Sequence, residues 1–373
     1  MSPLFRFRSV VPDLPAPPDY WRLIEGMHAN GRFSNFGPLA RRFETELKEM
    51  FGAPDECCVT ACNATSGLTA ALLASGRSGR VLLPAFTFPG SMSAVRSAGM
   101  TPVVVDVDAE TWTIRPEVLD RALTQTSASA VMLVRPFGMG GDCAAELAVC
   151  RAHGAAIVID NASGLGGARS AQDCAADVFE VFSMHATKPF AIGEGGVVFA
   201  HRTRELALRS ALNFGLGSEA GSLPSSWGVN GKMSEHHAAV GIAQMRRYAS
   251  ALALRRQAAQ AYRDMLSHFP AIACPQDMRA APWQFFPALL PSAEAAEDFI
   301  AAAAALGLEI RRYYRPSLSR WPGVVVHGPC PVAEDLAERM CVLPVRGLTA
   351  HAENSQIIAL IQQALHQAFR RGP

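Results

Sequence analysis

Lysine is scarce in this sequence: lysine and arginine together number 34, yet only Lys48, Lys188 and Lys232 are lysines. Arginine serves wherever a surface cation is all that is required. A retained lysine therefore points to chemistry that needs a primary amine, which a guanidinium cannot supply. Charge of one sign is also lacking. A formal net charge of +1 gives no electrostatic pull toward nucleic acid or an anionic membrane. No apolar run reaches the ~20 residues of a membrane helix. The opening stretch, MSPLFRFRSVVPDLPAPP, has prolines where a signal peptide would carry its apolar core. Nine cysteines, scattered without CxxC spacing although Cys57 and Cys58 are adjacent, predict neither a disulfide framework nor a metal site. These absences leave a soluble, cytoplasmic enzyme as the expected class.

The 373 residues, 49% of them apolar, are enough for a large domain with a smaller one attached. From about residue 56 to 200, short apolar runs alternate with helix-like stretches. The runs are VLLP (81–84), TPVVVDV (101–107), SAVMLVRPF (129–137), AAIVID (155–160), VFEVFS (178–183) and GGVVFA (195–200). Near-continuous Val/Ile/Leu runs predict strands buried on both faces, hence an α/β fold with a mostly parallel sheet between helices. Ligands of such sheets collect beyond the carboxyl ends of the strands. A long helical stretch over 234–265 leads to a second unit. There WQFFPALL (283–290) and LEIRRYY (308–314) predict strands, and 293–307 and 353–370 predict helices. The expected division is a large domain over 1–250 and a small C-terminal α+β domain over 251–373.

Chemistry-bearing residues cluster after the predicted strands. Cys62-Asn63-Ala64-Thr65-Ser66-Gly67 precedes a helical run, where backbone N–H groups and the Thr65 and Ser66 hydroxyls suit a phosphate. The same residues would equally make an ordinary helix cap. Asp160 closes a buried strand. Pyridoxal phosphate (PLP) chemistry needs a carboxylate against the pyridine nitrogen, although a turn aspartate after a strand is common. Lys188 follows Ser183-Met184-His185-Ala186-Thr187 and precedes a Gly-Glu-Gly-Gly turn at 193–196. An amine there fits a Schiff base with the cofactor, and then a proton carrier between substrate and cofactor carbons. The plain alternative, a surface lysine beside a turn, sits poorly with so sparing a use of lysine. Lys48, in FETELKEMFG, reads as a solvated helix face. Phe88, at the end of PAFTF (84–88), is placed either to stack on a cofactor ring or to fill the core.

Together these segments resemble the DegT/DnrJ/StrS family of nucleotide-sugar aminotransferases, in order and over essentially the whole chain. The resemblance runs from GRFSNFGPLARRFE (31–44) through NATSGL, PAFTF, VIDNASGLGG (158–167) and FSMHATKPFAIGEGG (182–196). It continues through GVNGKMSEHHAAVGIAQM (228–245) to RRYYRP (311–316). It implies a type I, aspartate-aminotransferase-like PLP fold. Lys188 would hold the cofactor and Asp160 would face its ring nitrogen. The Ala64 backbone, Thr65 and Ser183 would hold the phosphate, Phe88 would stack on the ring, and His185 would lie close by. Asn230 would reach the phosphate of a neighbouring subunit, which implies a homodimer with shared active sites.

Two positions depart from the family's pattern. Ser163 stands where a glutamine commonly contacts the cofactor's phenolic oxygen, and Lys232 stands where arginine is common. A serine hydroxyl still donates one hydrogen bond, so altered tuning is expected. Lys232, Arg312 and Tyr313 are the expected substrate contacts. The implied reaction moves an amino group from L-glutamate to a ketosugar, with dTDP-4-keto-6-deoxyglucose amination at C4 the best match. Amination at C3, or of a UDP- or GDP-linked ketosugar, is the near alternative. A lyase or dehydratase on the same cofactor, or a non-catalytic sensor, remains open. Related sugar dehydratases carry histidine at the lysine position, against which Lys188 argues.

Overall fold

The computed structural model describes residues 5–169, 177–217, 227–277 and 281–369. In chain order the first half comprises α1 (Pro17–Asn30), α2 (Pro38–Phe51), β1 (Glu56–Ala61), α3 (Ala64–Ala74), β2 (Arg80–Pro84), α4 (Pro89–Ser97), β3 (Thr101–Val105), α5 (Pro116–Thr126), β4 (Ala130–Val134), α6 (Ala144–Ala152) and β5 (Ala156–Asp160). Then follow β6 (Val178–Ser183), β7 (Gly196–His201), α7 (Glu205–Ala211), α8 (Glu235–Leu266), β8 (Phe285–Leu289), α9 (Ala293–Ala305), β9 (Arg311–Arg312), β10 (Val325–Val326), α10 (Pro331–Arg339), β11 (Met340–Pro344) and α11 (Asn354–Phe369).

The large sheet has the order β1-β7-β6-β5-β4-β2-β3-β10. Pairing is parallel from β6 through β5, β4, β2 and β3 to β10, whereas β7 runs antiparallel to both β6 and β1. Alternate residues of each strand feed opposite cores. Val81, Leu83, Ala130, Met132 and Val158 pack on the side of α3 and α4. Leu82, Val131, Leu133, Ile157 and Ile159 pack on the side of α5 and α6. Burial on both faces is why these strands read as continuous apolar runs. The carboxyl ends of β1, β2, β4, β5 and β6 open on one edge, together with the start of β7.

The C-terminal unit is built on the sheet β8-β11-β9, covered by α9, α11 and the second half of α8. Helix α8 is capped by Ser234, whose hydroxyl accepts from the His237 backbone at 3.3 Å. Its first half, with Met245, Tyr248 and Ala251, packs on the large sheet; Ala259, Tyr262 and Leu266 pack on the small one.

Three local features differ from the sequence reading. The run 308–314 forms only the two-residue strand β9, because the backbone of Gly307 and Glu309 pairs with Phe7 of the N-terminal segment instead. Strands β1 and β11 arise from ECCVTA and MCVLP, which no predicted run covered. Strand β10 returns from the C-terminal unit to the edge of the large sheet, parallel to β3. The closing helix is described to Phe369; Arg370, predicted to end it, lies outside the described residues.

Candidate active site

A cavity of about 510 Å³ opens at the carboxyl edge of the large sheet. Asp160, the last residue of β5, forms its floor and is almost fully buried. One carboxylate oxygen accepts from the Ser91 hydroxyl at 2.6 Å and the other from the Ala162 backbone at 3.1 Å. Burial pushes the Asp160 carboxyl above its ordinary value, against the pull of Ser91, the Ala162 N–H and the Lys188 charge. The Ser91 hydroxyl, in the first turn of α4, lies 3.0 Å from that of Thr87.

Lys188, five residues beyond β6, points into the same cavity. Burial lowers its amine from the ordinary 10.5 to about 8, with Asp160 acting in the opposite sense. Burial thus favours the uncharged, nucleophilic form of this amine far more than at an exposed lysine. The amine donates to the Ser163 hydroxyl at 2.8 Å and to the Gln284 side-chain oxygen at 2.9 Å.

The opposite wall is the start of α3. Asn63 caps the helix by accepting from the Ser66 backbone at 2.8 Å, so the cap reading of this segment holds. The N–H groups of a helix's first turn have no intrahelical acceptor, and Ala64 and Thr65 line the cavity beside Ser183. Close approach here depends on Gly196. A Cβ on it would stand 2.6 Å from the Asn63 carbonyl carbon and 2.7 Å from the Ala64 nitrogen. Gly193 adopts φ +99° in the turn leading into β7, a conformation that favours glycine.

Phe88 lines the cavity while 59% exposed, which excludes the core-filling alternative for this ring. His185 lies at the rim, its Nδ1 2.9 Å from the Thr187 hydroxyl and its Nε2 3.5 Å from a Glu194 carboxylate oxygen. From the C-terminal unit come Gln284, Tyr313 and Tyr314. Burial raises the Tyr314 hydroxyl above its usual range, as does nearby Asp160, and its ring stacks on Phe137 at 5.6 Å.

Among the sequence-predicted residues, the structure thus brings together Lys188, Asp160, Ser163, Ala64, Thr65, Ser183, Phe88, His185 and Tyr313. Three others lie elsewhere. Arg312 does not line the cavity; its guanidinium donates to the Glu338 carbonyl at 3.0 Å and contacts the Glu297 carboxylate at 3.2 Å. Asn230 and Lys232 also lie off this cavity. Their side chains meet at 2.8 Å, and the Lys232 amine sits 4.4 Å above the Phe214 ring. Sequence reasoning passed over Ser91, Arg135, Glu194, Tyr314 and above all Gln284. Ser163 in place of a glutamine was a signal that some other amide could serve.

The residues present fit PLP. A buried carboxylate acted on by the Lys188 charge has capacity for a further cationic or N–H partner such as a ring nitrogen. A lysine amine stands in the same cavity, an exposed aromatic ring flanks it, and a helix N-terminus with two hydroxyls lies across it. Among the described residues no group of His, Cys, Asp and Glu could hold a metal ion.

Comparison with known proteins agrees. The family model of the DegT/DnrJ/EryC1/StrS aminotransferases matches residues 20–362. The Mycobacterium tuberculosis protein Rv3402c is 31% identical over 95% of this chain and 89% of its own length. The dTDP-4-amino-4,6-dideoxy-D-glucose transaminase of Shigella dysenteriae is 27% identical over 95% of this chain and 97% of its own. The structure of DesI, solved in the presence of its TDP-sugar product, superimposes with a TM-score of 0.87 at 26% identity, covering 99% of this chain and 96% of that one.

Proposed function

This chain belongs to the DegT/DnrJ/EryC1/StrS aminotransferase family of PLP-dependent enzymes, and we propose that it moves the amino group of L-glutamate to a keto group of a nucleotide-linked hexose. The best-supported acceptor is a dTDP-4-keto-6-deoxyhexose aminated at C4. The observation that carries the reading is the Lys188 amine in one buried cavity with the Asp160 carboxylate. The named activity of the Shigella relative supports the acceptor.

Bound in this cavity, PLP supplies a protonated ring that accepts the electrons left when a proton leaves the carbon bearing nitrogen. The chain's residues do the rest. Asp160, carrying negative charge, favours the proton on the ring nitrogen. The Lys188 Nζ, with its charge disfavoured by burial, would take up and give back the proton of the reacting carbon. The α3 N-terminus, Thr65 and Ser183 would hold the phosphate. Phe88 would pack against the ring. His185, Glu194, Tyr313 and Tyr314 line the space left for the sugar.

Asn230, exposed and off this cavity, would serve the site of a second copy, with Lys232 beside it. The enzyme would then be a homodimer with shared sites. A cytoplasmic location is supported by eight described cysteines that are all free. No described helix is long and apolar enough to cross a membrane.

Incubation with L-glutamate and dTDP-, UDP- and GDP-linked ketosugars, followed by NMR of the products, tests this reading. A 4-amino sugar from the dTDP substrate is expected. A deoxygenated product without nitrogen would identify a dehydratase instead, and 3-amination would reassign the carbon.

A further inference from the structure

Ser163 replaces the glutamine of the pattern this sequence resembles, and the structure shows what surrounds it. Its hydroxyl donates to the Gln284 side-chain oxygen at 2.7 Å. Lys188 Nζ donates to both partners, at 2.8 Å and 2.9 Å. The three groups form a closed triangle. The amide nitrogen of Gln284 reaches the Thr187 hydroxyl at 3.3 Å, so the amide spans the lysine segment as well as the loop after β5. Gln284 is nearly buried, 9% exposed, and sits one residue before β8 in the C-terminal unit.

We infer that Gln284 is the positioning residue for Lys188, a side-chain amide standing in for the glutamine that Ser163 replaces. The inference rests on Lys188 being the cofactor-holding amine. A serine has a single proton to donate, and here it is spent on Gln284. An amide offers an acceptor and two N–H donors, enough to hold the lysine before it condenses and to donate afterwards. Groups within hydrogen-bond distance of Lys188 Nζ are the groups nearest the aldehyde end of the cofactor, where its phenolic oxygen lies. Because Gln284 comes from the C-terminal unit and Ser163 and Lys188 from the large sheet, the lysine is held between the two.

The titratable and charged groups around Lys188 are Asp160 from β5, Arg135 after β4, His185 and Glu194 from the segment before β7, and Tyr313 and Tyr314 after β9. Gln284 is neutral. Removing it changes hydrogen bonding without changing charge, so a shift in titration reports the lost bond. A donor on the phenolic oxygen favours its ionised form. Without the donor, the neighbouring lysine nitrogen keeps its proton to higher pH.

The test uses full-length holoenzyme and the pH midpoint of the visible band of lysine-bound PLP. Gln284→Leu is expected to raise that midpoint by about one unit and weaken PLP binding about tenfold. Adding Ser163→Gln to Gln284→Leu should restore both, by returning an amide to the other side of the triangle. Ser163→Ala alone should weaken PLP binding by less than about twofold, because Gln284 still holds the lysine. This last variant decides the matter if Gln284→Leu does not fold. An unchanged midpoint and affinity in Gln284→Leu, or a tenfold loss in Ser163→Ala, would overturn the inference. Borohydride reduction of wild type followed by peptide mass mapping separates the two levels. Label absent from Lys188 would sink the site reading itself, whereas label on Lys188 with an unresponsive Gln284 variant would sink only this inference.

Discussion

Lys188 keeps an amine where burial disfavours its charge, and that has a cost in the cofactor-free protein. Its folded value, about 8, lies below the ordinary 10.5. The unfolded chain therefore binds more protons between those values, and stability rises with pH across that window. Lys188→Met removes the titrating group. Urea unfolding of both apoproteins should show the variant's relative advantage shrinking by roughly 2 to 3 kcal/mol from pH 7 to pH 10. A pH-independent difference would mean that the amine is not buried as described. At Asp160 the prediction concerns rate: Asp160→Asn should retain PLP through the phosphate contacts but slow the glutamate half-reaction about a hundredfold or more in stopped-flow absorbance. Both residues were legible in the sequence, the lysine through its rarity and the aspartate through its position at a strand end. Gln284, 121 positions from Ser163, and Ser91 were not. Their partners are set by tertiary packing, and no local spacing records it.

The α3 N-terminus carries the phosphate reading. Thr65→Val and Ser183→Ala should each raise the Kd for PLP about tenfold, the loss of one charge-assisted hydrogen bond, by equilibrium dialysis. Gly196→Val tests the packing beneath: its Cβ would collide with the Asn63 and Ala64 backbone. Both the melting temperature and PLP retention should fall. Wild-type PLP affinity in that variant would show that β7 and α3 need not approach closely. Six strands of the large sheet were readable because both of their faces are buried, so each appears as an apolar run. The run at 308–314 misled for a different reason: Leu308, Ile310, Tyr313 and Tyr314 suit a strand, but the run's backbone partners are Phe7 toward one end and β11 toward the other. Strand β1 was hidden by the polar and cysteine residues of ECCVTA, although it is buried throughout.

For the molecule as a whole, the cavity is completed only when the C-terminal unit brings Gln284, Tyr313 and Tyr314 over the edge of the large sheet. Helix α8 ties the two by packing its halves into different cores. The family resemblance supplied the order of the segments, and apolar periodicity the layers. Arg312 lies off the cavity of a single chain, held by Glu297 and Glu338, partners distant in sequence that no local pattern announces. If sites are shared, Lys188→Ala chains refolded with Asn230→Ala chains, assayed at a PLP concentration too low to load Asn230→Ala alone, should regain about a quarter of wild-type activity, since half of the dimers would each carry one intact site. No recovery would confine each site to one chain. The deciding observation for Lys188 is the visible absorption spectrum of wild type and Lys188→Ala with PLP, before and after L-glutamate. Wild type should show a yellow band that glutamate bleaches, and the variant should show no such band. A wild type that stays colourless at saturating PLP, or a Lys188→Ala protein with the same glutamate-sensitive band, would contradict the assignment of this lysine as the amine that holds the cofactor.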